Sequence, residues 1–190
     1  MKKIECVKKK IEKIIKNSLV SEDPIHSKNT LEWLLKLKPD ADEALQIAAL
    51  AHDIERAIEK RKVKRKDYRD YDKFKNAHAL NSANILLEIM KECNASKELA
   101  DDVFRLIRFH ETGGSRRVNI LRGADGISFF HVNLPEYFSR NGKKETEKRW
   151  FWGYRRLSEK ERIIIAKFNY QDKELNALVT TWLEKSQLCS

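Results

Sequence analysis

The chain has no long apolar run. Stretches such as Ala48-Ala49-Leu50-Ala51 and Ile163-Ile164-Ile165-Ala166 fall far short of the ~20 residues that a membrane-spanning helix needs. The N-terminus alternates lysine with isoleucine and valine, so it lacks the unbroken apolar stretch of a secretory signal. The sequence therefore reads as cytoplasmic, with no membrane partner. Only 6 Gly and 3 Pro occur in 190 residues, which excludes collagen-like and low-complexity classes. Cysteine is scarce as well. Cys6, Cys93 and Cys189 lie far apart and form no Cys-x-x-Cys pair, so zinc ribbons and thioredoxin-type redox motifs are unsupported. The expectation is three reduced thiols.

Charge and helical pattern are abundant. Hydrophobic residues make up 41% and charged residues 36%, enough for one domain over 1–190 with a core that needs no disulfide. The net charge is +10, a surface that attracts nucleotides, phosphorylated metabolites or nucleic acid. Ile4, Val7, Ile11, Ile14 and Ile15 recur at helical spacing against a lysine face. Further helices are expected over about 26–37, 41–58, 70–90, 96–110 and 116–130, with the alanine-rich third one central and buried. Past Pro135, residues 139–144 read as an exposed loop. A capping box at Ser158 and Glu161 opens a helix through Phe168, and a last helix spans about 172–185, with Leu175, Leu178, Val179 and Trp182 inward. Trp150, Phe151, Trp152 and Tyr154 are expected to pack into the core. The fold class is all-α, a helical bundle.

Ligand-type residues punctuate these helices. His26, His52, His78 and His110 fall on four different predicted helices, His52 is followed by Asp53, and Asp125 lies on the next helix. Imidazole and carboxylate suit borderline metals such as iron, manganese, cobalt, nickel and zinc. Helical bundles build such sites from side chains on facing helices. His131 fits no place in the set.

His26, His52-Asp53 and Asp125 resemble the H…HD…D signature of the HD-domain metal-dependent phosphohydrolases. Residues 48–54 are similar to the superfamily's apolar "ALLHDI" run, and residues 121–127 to its later "AD-x-I" helix. His78 and His110 resemble the extra histidines of the binuclear members. The resemblance implies an HD-like core over about 21–132, with an extra N-terminal helix and a C-terminal helical extension over about 133–190. It implies one metal on His26, His52, Asp53 and Asp125, and a second on His78 and His110 bridged by Asp53, making one or two divalent transition metals. Many members continue "HDIGK"; here Glu55 replaces the glycine and Arg56 the lysine. The GYP motif of the cyclic-dinucleotide phosphodiesterases is absent.

The function implied is hydrolysis of a phosphate ester of a nucleotide or other small phosphorylated metabolite. Two cations neutralise the phosphate and clamp the attacking and leaving oxygens. Asp53 and Arg56 are the catalytic candidates, and Arg56 and Arg116 the candidate phosphate contacts, since arginine grips phosphate bidentately. Glu111 is a candidate to orient a ligand or accept a proton. Two other readings stand beside this one. A metal-stabilised HD scaffold without turnover would keep the same ligands. A nucleic-acid-binding protein would use the basic clusters, seven basic against two acidic residues over 2–16 and nine against three over 60–75.

Overall fold

The computed structural model describes residues 2–188, with side chains for residues 3–186. Among these residues the regular structure is helical and no strand occurs, as an all-α bundle requires. In chain order the helices are α1 Lys2–Lys16, α2 Asp23–Leu37, α3 Glu43–Ala51, α4 Tyr71–Glu92, α5 Lys97–Phe109, α6 Arg116–Ser128, α7 Leu134–Arg156, α8 Glu159–Ile165 and α9 Lys173–Leu188. The chain packs as two compact units, the first ending at Asp125 and the second beginning at Gly126.

In the first unit α3 is the innermost element, packed by α1, α2 and α5, while α4 lies along α5. Leu45, Ile47, Ala48, Ala49 and Ala51 are all sealed from solvent. The alanines explain the position, since short side chains let neighbouring helices close in from several sides. Val7, Ile11 and Ile15 of α1 complete this core at the expected spacing. α2 begins at Asp23, earlier than the pattern predicts, because Pro24 sits in the first turn, where its missing N–H costs nothing. α3 stops at Ala51, well before Ile58. The chain then tightens into a 3₁₀ turn over Ile54–Ala57, so His52 and Asp53 fall on the junction between the two.

Cys6 and Cys93 are joined by a disulfide with Cα atoms 5.8 Å apart, which corrects the expectation of reduced thiols for this pair. They are 87 residues apart in sequence, and only the packing of α1 across the end of α4 brings them together. Cys189 lies outside the described residues. No helix among the described residues is long and apolar enough to cross a membrane.

One ionic clamp sets the register of three helices. Arg117, at the start of α6, meets both oxygens of Asp102 on α5 and both of Asp42, the N-cap of α3, at 2.8 Å each. His52 lies ten residues past Asp42, His110 eight past Asp102, and Asp125 eight past Arg117. At ~1.5 Å per residue, three helices leaving one clamp in a common direction deliver these residues to a common level. The α5–α6 turn depends on Gly113, whose φ is +77°; a Cβ there would sit 2.5 Å from Asn119 Oδ1.

In the second unit Trp150 and Trp182 are fully buried. Trp150 stacks on Tyr154 at 4.7 Å and meets Phe130 edge-on at 5.9 Å. The Tyr170 hydroxyl donates to Phe130 O at 2.9 Å. The loop expected over 139–144 is instead part of α7, broken only at Gly142, where φ is 71°. Asn141 Nδ2 donating to Tyr137 O and the Thr146 hydroxyl donating to Gly142 O hold helical turns on both sides of the break. The Ser158–Glu161 capping box is present.

Arg117→Ala is expected to lower the unfolding free energy by about 1 kcal/mol, discounted for the solvent exposure of the pair. Urea denaturation checks this, and a shift indistinguishable from zero would mean that apolar packing alone sets the register.

Candidate metal centre

The first unit gathers all six ligand-type residues at one point. His26 comes from the opening turns of α2, His52 and Asp53 from the α3 junction, His78 from the middle of α4, His110 from the end of α5 and Asp125 from α6. The four histidines are nearly sealed, with side-chain exposure of 4% or less, whereas Asp53 and Asp125 keep 14% and 19%. The cluster is closed on its imidazole side and open on its carboxylate side.

Three groups of three donors are recognisable; one joins His110, Glu111 and Asp125, and the other two hold all four histidines and both aspartates. In one of these two, His26 Nε2 lies 3.1 Å from His52 Nε2 and 3.1 Å from Asp125 Oδ1, and His52 Nε2 lies 3.4 Å from that same oxygen. In the other, His78 Nε2 lies 2.7 Å and His110 Nε2 3.9 Å from Asp53 Oδ1. Asp53 stands between the groups. Its Oδ2 is 3.9 Å from His26 Nε2, and its Oδ1 is 3.8 Å from His52 Nε2. A single carboxylate therefore lies within 3.9 Å of the Nε2 atoms of all four histidines.

Local structure aims these nitrogens. His52 Nδ1 meets Ala49 O at 3.0 Å and His110 Nδ1 meets Ile107 O at 2.7 Å. Each ring thus donates to the carbonyl three residues back in the last turn of its helix and turns Nε2 inward; Ile107 O also accepts the backbone N–H of His110 at 3.3 Å. His78 is mid-helix and meets a side chain instead, Glu55 Oε1, at 2.6 Å.

The donor set fits a transition metal. Donor atoms about 2.1 Å from one ion lie about 3.0 Å apart at right angles and about 3.4 Å apart at the tetrahedral angle. The His26–His52–Asp125 triangle has edges in that range. His110 Nε2 is buried and has no hydrogen-bond partner among the described residues, a lone pair held ready inside the cluster.

The electrostatics are those of compensated burial. Burial works against charge on His52, but the carboxylates of Asp53 and Asp125 outweigh it and push the ring up to about 9. His78 is raised in the same way, against burial, chiefly by Asp53. Burial works against charge on Asp53 and Asp125 too. The surrounding imidazoles outweigh it, and both are held well below the usual carboxylate range.

Of the other candidates, Arg56 reaches the cluster but spends both Nη atoms on carboxylates, Asp53 Oδ2 and Asp23 Oδ1, at 2.9 Å each. It anchors the outer oxygen of Asp53, where a free phosphate grip was expected. Arg116 is not brought in. It is exposed at the opening of α6, nine residues before Asp125, beside Asp40. Glu111 is at the site, with Oε1 3.4 Å from His110 Nε2, and it pairs with Lys75. His131 stacks on Phe168 in the second unit.

Sequence reasoning missed two residues. Asp23, buried, takes a hydrogen bond from the Ser18 hydroxyl at 2.6 Å and backs Arg56. Glu55 is 1% exposed and backs His78. For Glu55 the available signal was an acid set inside the apolar run 44–58.

A family described as a domain of unknown function, DUF4202, matches residues 7–179, and the chain belongs to it. No curated protein and no solved structure matches the chain.

In metal-depleted protein the cluster titrates from both sides. Asp53 and Asp125 have depressed values, so their contribution is present above about 3.8 and fades as pH falls. His52 is raised from 6.5 to about 9, so its contribution is complete below 6.5 and is lost as pH rises through about 9. Stability is therefore expected to decline from pH 6.5 to 9, and His52→Gln to flatten that decline. Urea midpoints at both pH values check this, and parallel declines in the two proteins would refute it.

Proposed function

We propose that this protein is a metal-dependent phosphohydrolase of the HD type, cleaving a phosphate ester of a nucleotide or other small phosphorylated metabolite. The observation that carries the reading is Asp53, one carboxylate set among four Nε2 atoms that face it from four helix segments. Structural histidines in a bundle core are satisfied singly. Here they share one focus and one pair of carboxylates, with His110 Nε2 left for a further partner.

His26, His52, Asp53 and Asp125 would hold one divalent transition metal, and Asp53, His78 and His110 a second. When bound, such ions supply Lewis acidity toward the phosphate and acidify the water that attacks it. The chain's own residues do the rest. Arg56 fixes Asp53 Oδ2 from outside the cluster, so the carboxylate keeps one orientation toward both donor groups. Asp23 holds Arg56 in turn. The sealed imidazole side excludes bulk water, and the carboxylate side leaves an approach for an anion that the net charge of +10 favours. Lys75 pairs with Glu111, whose Oε1 lies 3.4 Å from His110 Nε2, so a neutralised carboxylate borders the second donor group.

The nucleic-acid reading has less support. Arg61 is bidentate to Glu88, Lys62 pairs with Glu59 and Lys75 with Glu111, so several cations of the 60–75 cluster are committed within the chain.

Purified protein loaded with manganese, cobalt, nickel or iron is expected to hydrolyse members of a panel of nucleotides and aryl phosphates. His52→Ala and Asp53→Ala should each lower both bound metal and turnover by more than about 100-fold, beyond what losses outside the ligand shell cause. Elemental analysis and phosphate release are the measurements. Turnover that survives both substitutions would overturn the proposal. Bound metal with no turnover on any ester would leave the inactive scaffold as the reading.

A further inference from the structure

We propose that Glu55 is the positioning residue of the His78–His110 half of the site, setting the affinity of that half for metal while leaving the His26–His52–Asp125 half alone. The inference rests on the metal-site reading above and deepens it.

The argument begins with helix geometry. His52 and His110 stand at helix ends and lean on carbonyls of their own chain, Ala49 O and Ile107 O. His78 is the eighth residue of the 22-residue α4, where backbone carbonyls are taken up by the helix's own N–H groups. A ring there needs an acceptor from outside its helix. Glu55 supplies it, with Oε1 2.6 Å from His78 Nδ1. The carboxylate is itself held on its far oxygen, where Oε2 accepts from Val63 N at 2.6 Å and from Asn81 Nδ2 at 3.2 Å. Asn81 is fixed by donating to Arg61 O at 2.6 Å. Every neighbour of Glu55 in this set is a donor, so an ionised carboxylate is the side chain that satisfies all of them at once.

Two consequences follow for His78. Its Nδ1 proton is pinned by Glu55, so Nε2, 2.7 Å from Asp53 Oδ1, is the nitrogen that would take a metal on giving up its own proton. A carboxylate behind an imidazole also raises its basicity as a ligand more than a carbonyl does. His78 is thus backed by a buried carboxylate, whereas His52 and His110 lean on backbone carbonyls. Glu55 stands where many members of the resembling family carry glycine, which cannot make this contact.

The test is a cobalt(II) titration of the metal-depleted full chain by calorimetry, with elemental analysis of stoichiometry. Wild type is expected to take two ions. Glu55→Gln presents an amide N–H₂ either to His78 Nδ1–H or to Val63 N–H, donor against donor. It should leave one site at wild-type affinity and weaken the other by about 10–100-fold. Asn81→Ala removes an Oε2 partner but keeps Oε1 on His78, and should leave both sites near wild type. Ring nitrogen shifts of His78 report the tautomer independently, fixed in wild type and released in the variant. If circular dichroism shows Glu55→Gln unfolded, Glu55→Asp, with the carboxylate drawn back by one methylene, replaces it with the same expectation. Two wild-type sites in Glu55→Gln would overturn this proposal alone, as would equal loss in Asn81→Ala. A wild-type chain that takes no cobalt would overturn the metal reading and this inference with it.

Discussion

A buried cluster of like groups is tolerable only when its charges cancel, and the Asp53 carboxylate is where this molecule balances them. Four nearly sealed imidazoles and two carboxylates crowd into a few ångströms. Left in isolation, each would shed its charge to escape desolvation. Instead the carboxylates stay ionised and His52 and His78 are drawn toward the charged form, each against the pull of burial. Protons thus occupy positions where the geometry suits metal ions, so metal uptake would exchange one set of cations for another. Arg56 extends the balance outward. It remains protonated because Asp53 and Asp23 outweigh its burial, and at 2.9 Å it neutralises the outer carboxylate oxygen, from which His26 Nε2 stands 3.9 Å away.

Such a cluster forms only if the backbone delivers six side chains to one level, and the fold does this by end-alignment. α3, α5 and α6 share the Arg117 clamp at one end and release His52, His110 and Asp125 at the other. Terminal positions are useful because a ring at a helix end reaches a carbonyl of the last turn. α4 contributes from its middle, and its histidine accordingly needs Glu55. α3 must also be slim, since its alanines allow neighbours to approach the axis that carries His52 and Asp53.

Much of this was legible in the residue pattern. Helical periodicity gives α1, α4, α5, α8 and α9 to within a few residues, because their apolar faces and caps are local. The six ligand types are legible because chemistry of that kind uses few residue types. What the pattern hides is long-range. The end of α3 at Ala51 is hidden because Glu55 reads as helix-compatible, and its burial follows only from where α4 passes. The continuation of helix through 139–144 is hidden because Gly142 alone carries the break. The Cys6–Cys93 bond depends on a packing contact across 87 residues. Arg56 looks like a free phosphate ligand until Asp23, 33 positions earlier, is seen to hold it.

Residue 55 shows how one side chain sets the logic of a site. Glycine after the His-Asp pair supplies flexibility and no chemistry. A glutamate at that place could not be exposed, because the 3₁₀ turn over Ile54–Ala57 directs it into the interior against α4. Burying an unpaired carboxylate there would cost several kcal/mol. The cost is offset only if donors surround it, and they do: a ring N–H, a backbone N–H and an amide. The loop over Val63 and the ring of His78 are therefore tied to the same charge. Backbone shape, a buried acid and a ligand orientation are set by one residue, so the second half of the cluster is more tightly specified than a count of histidines suggests.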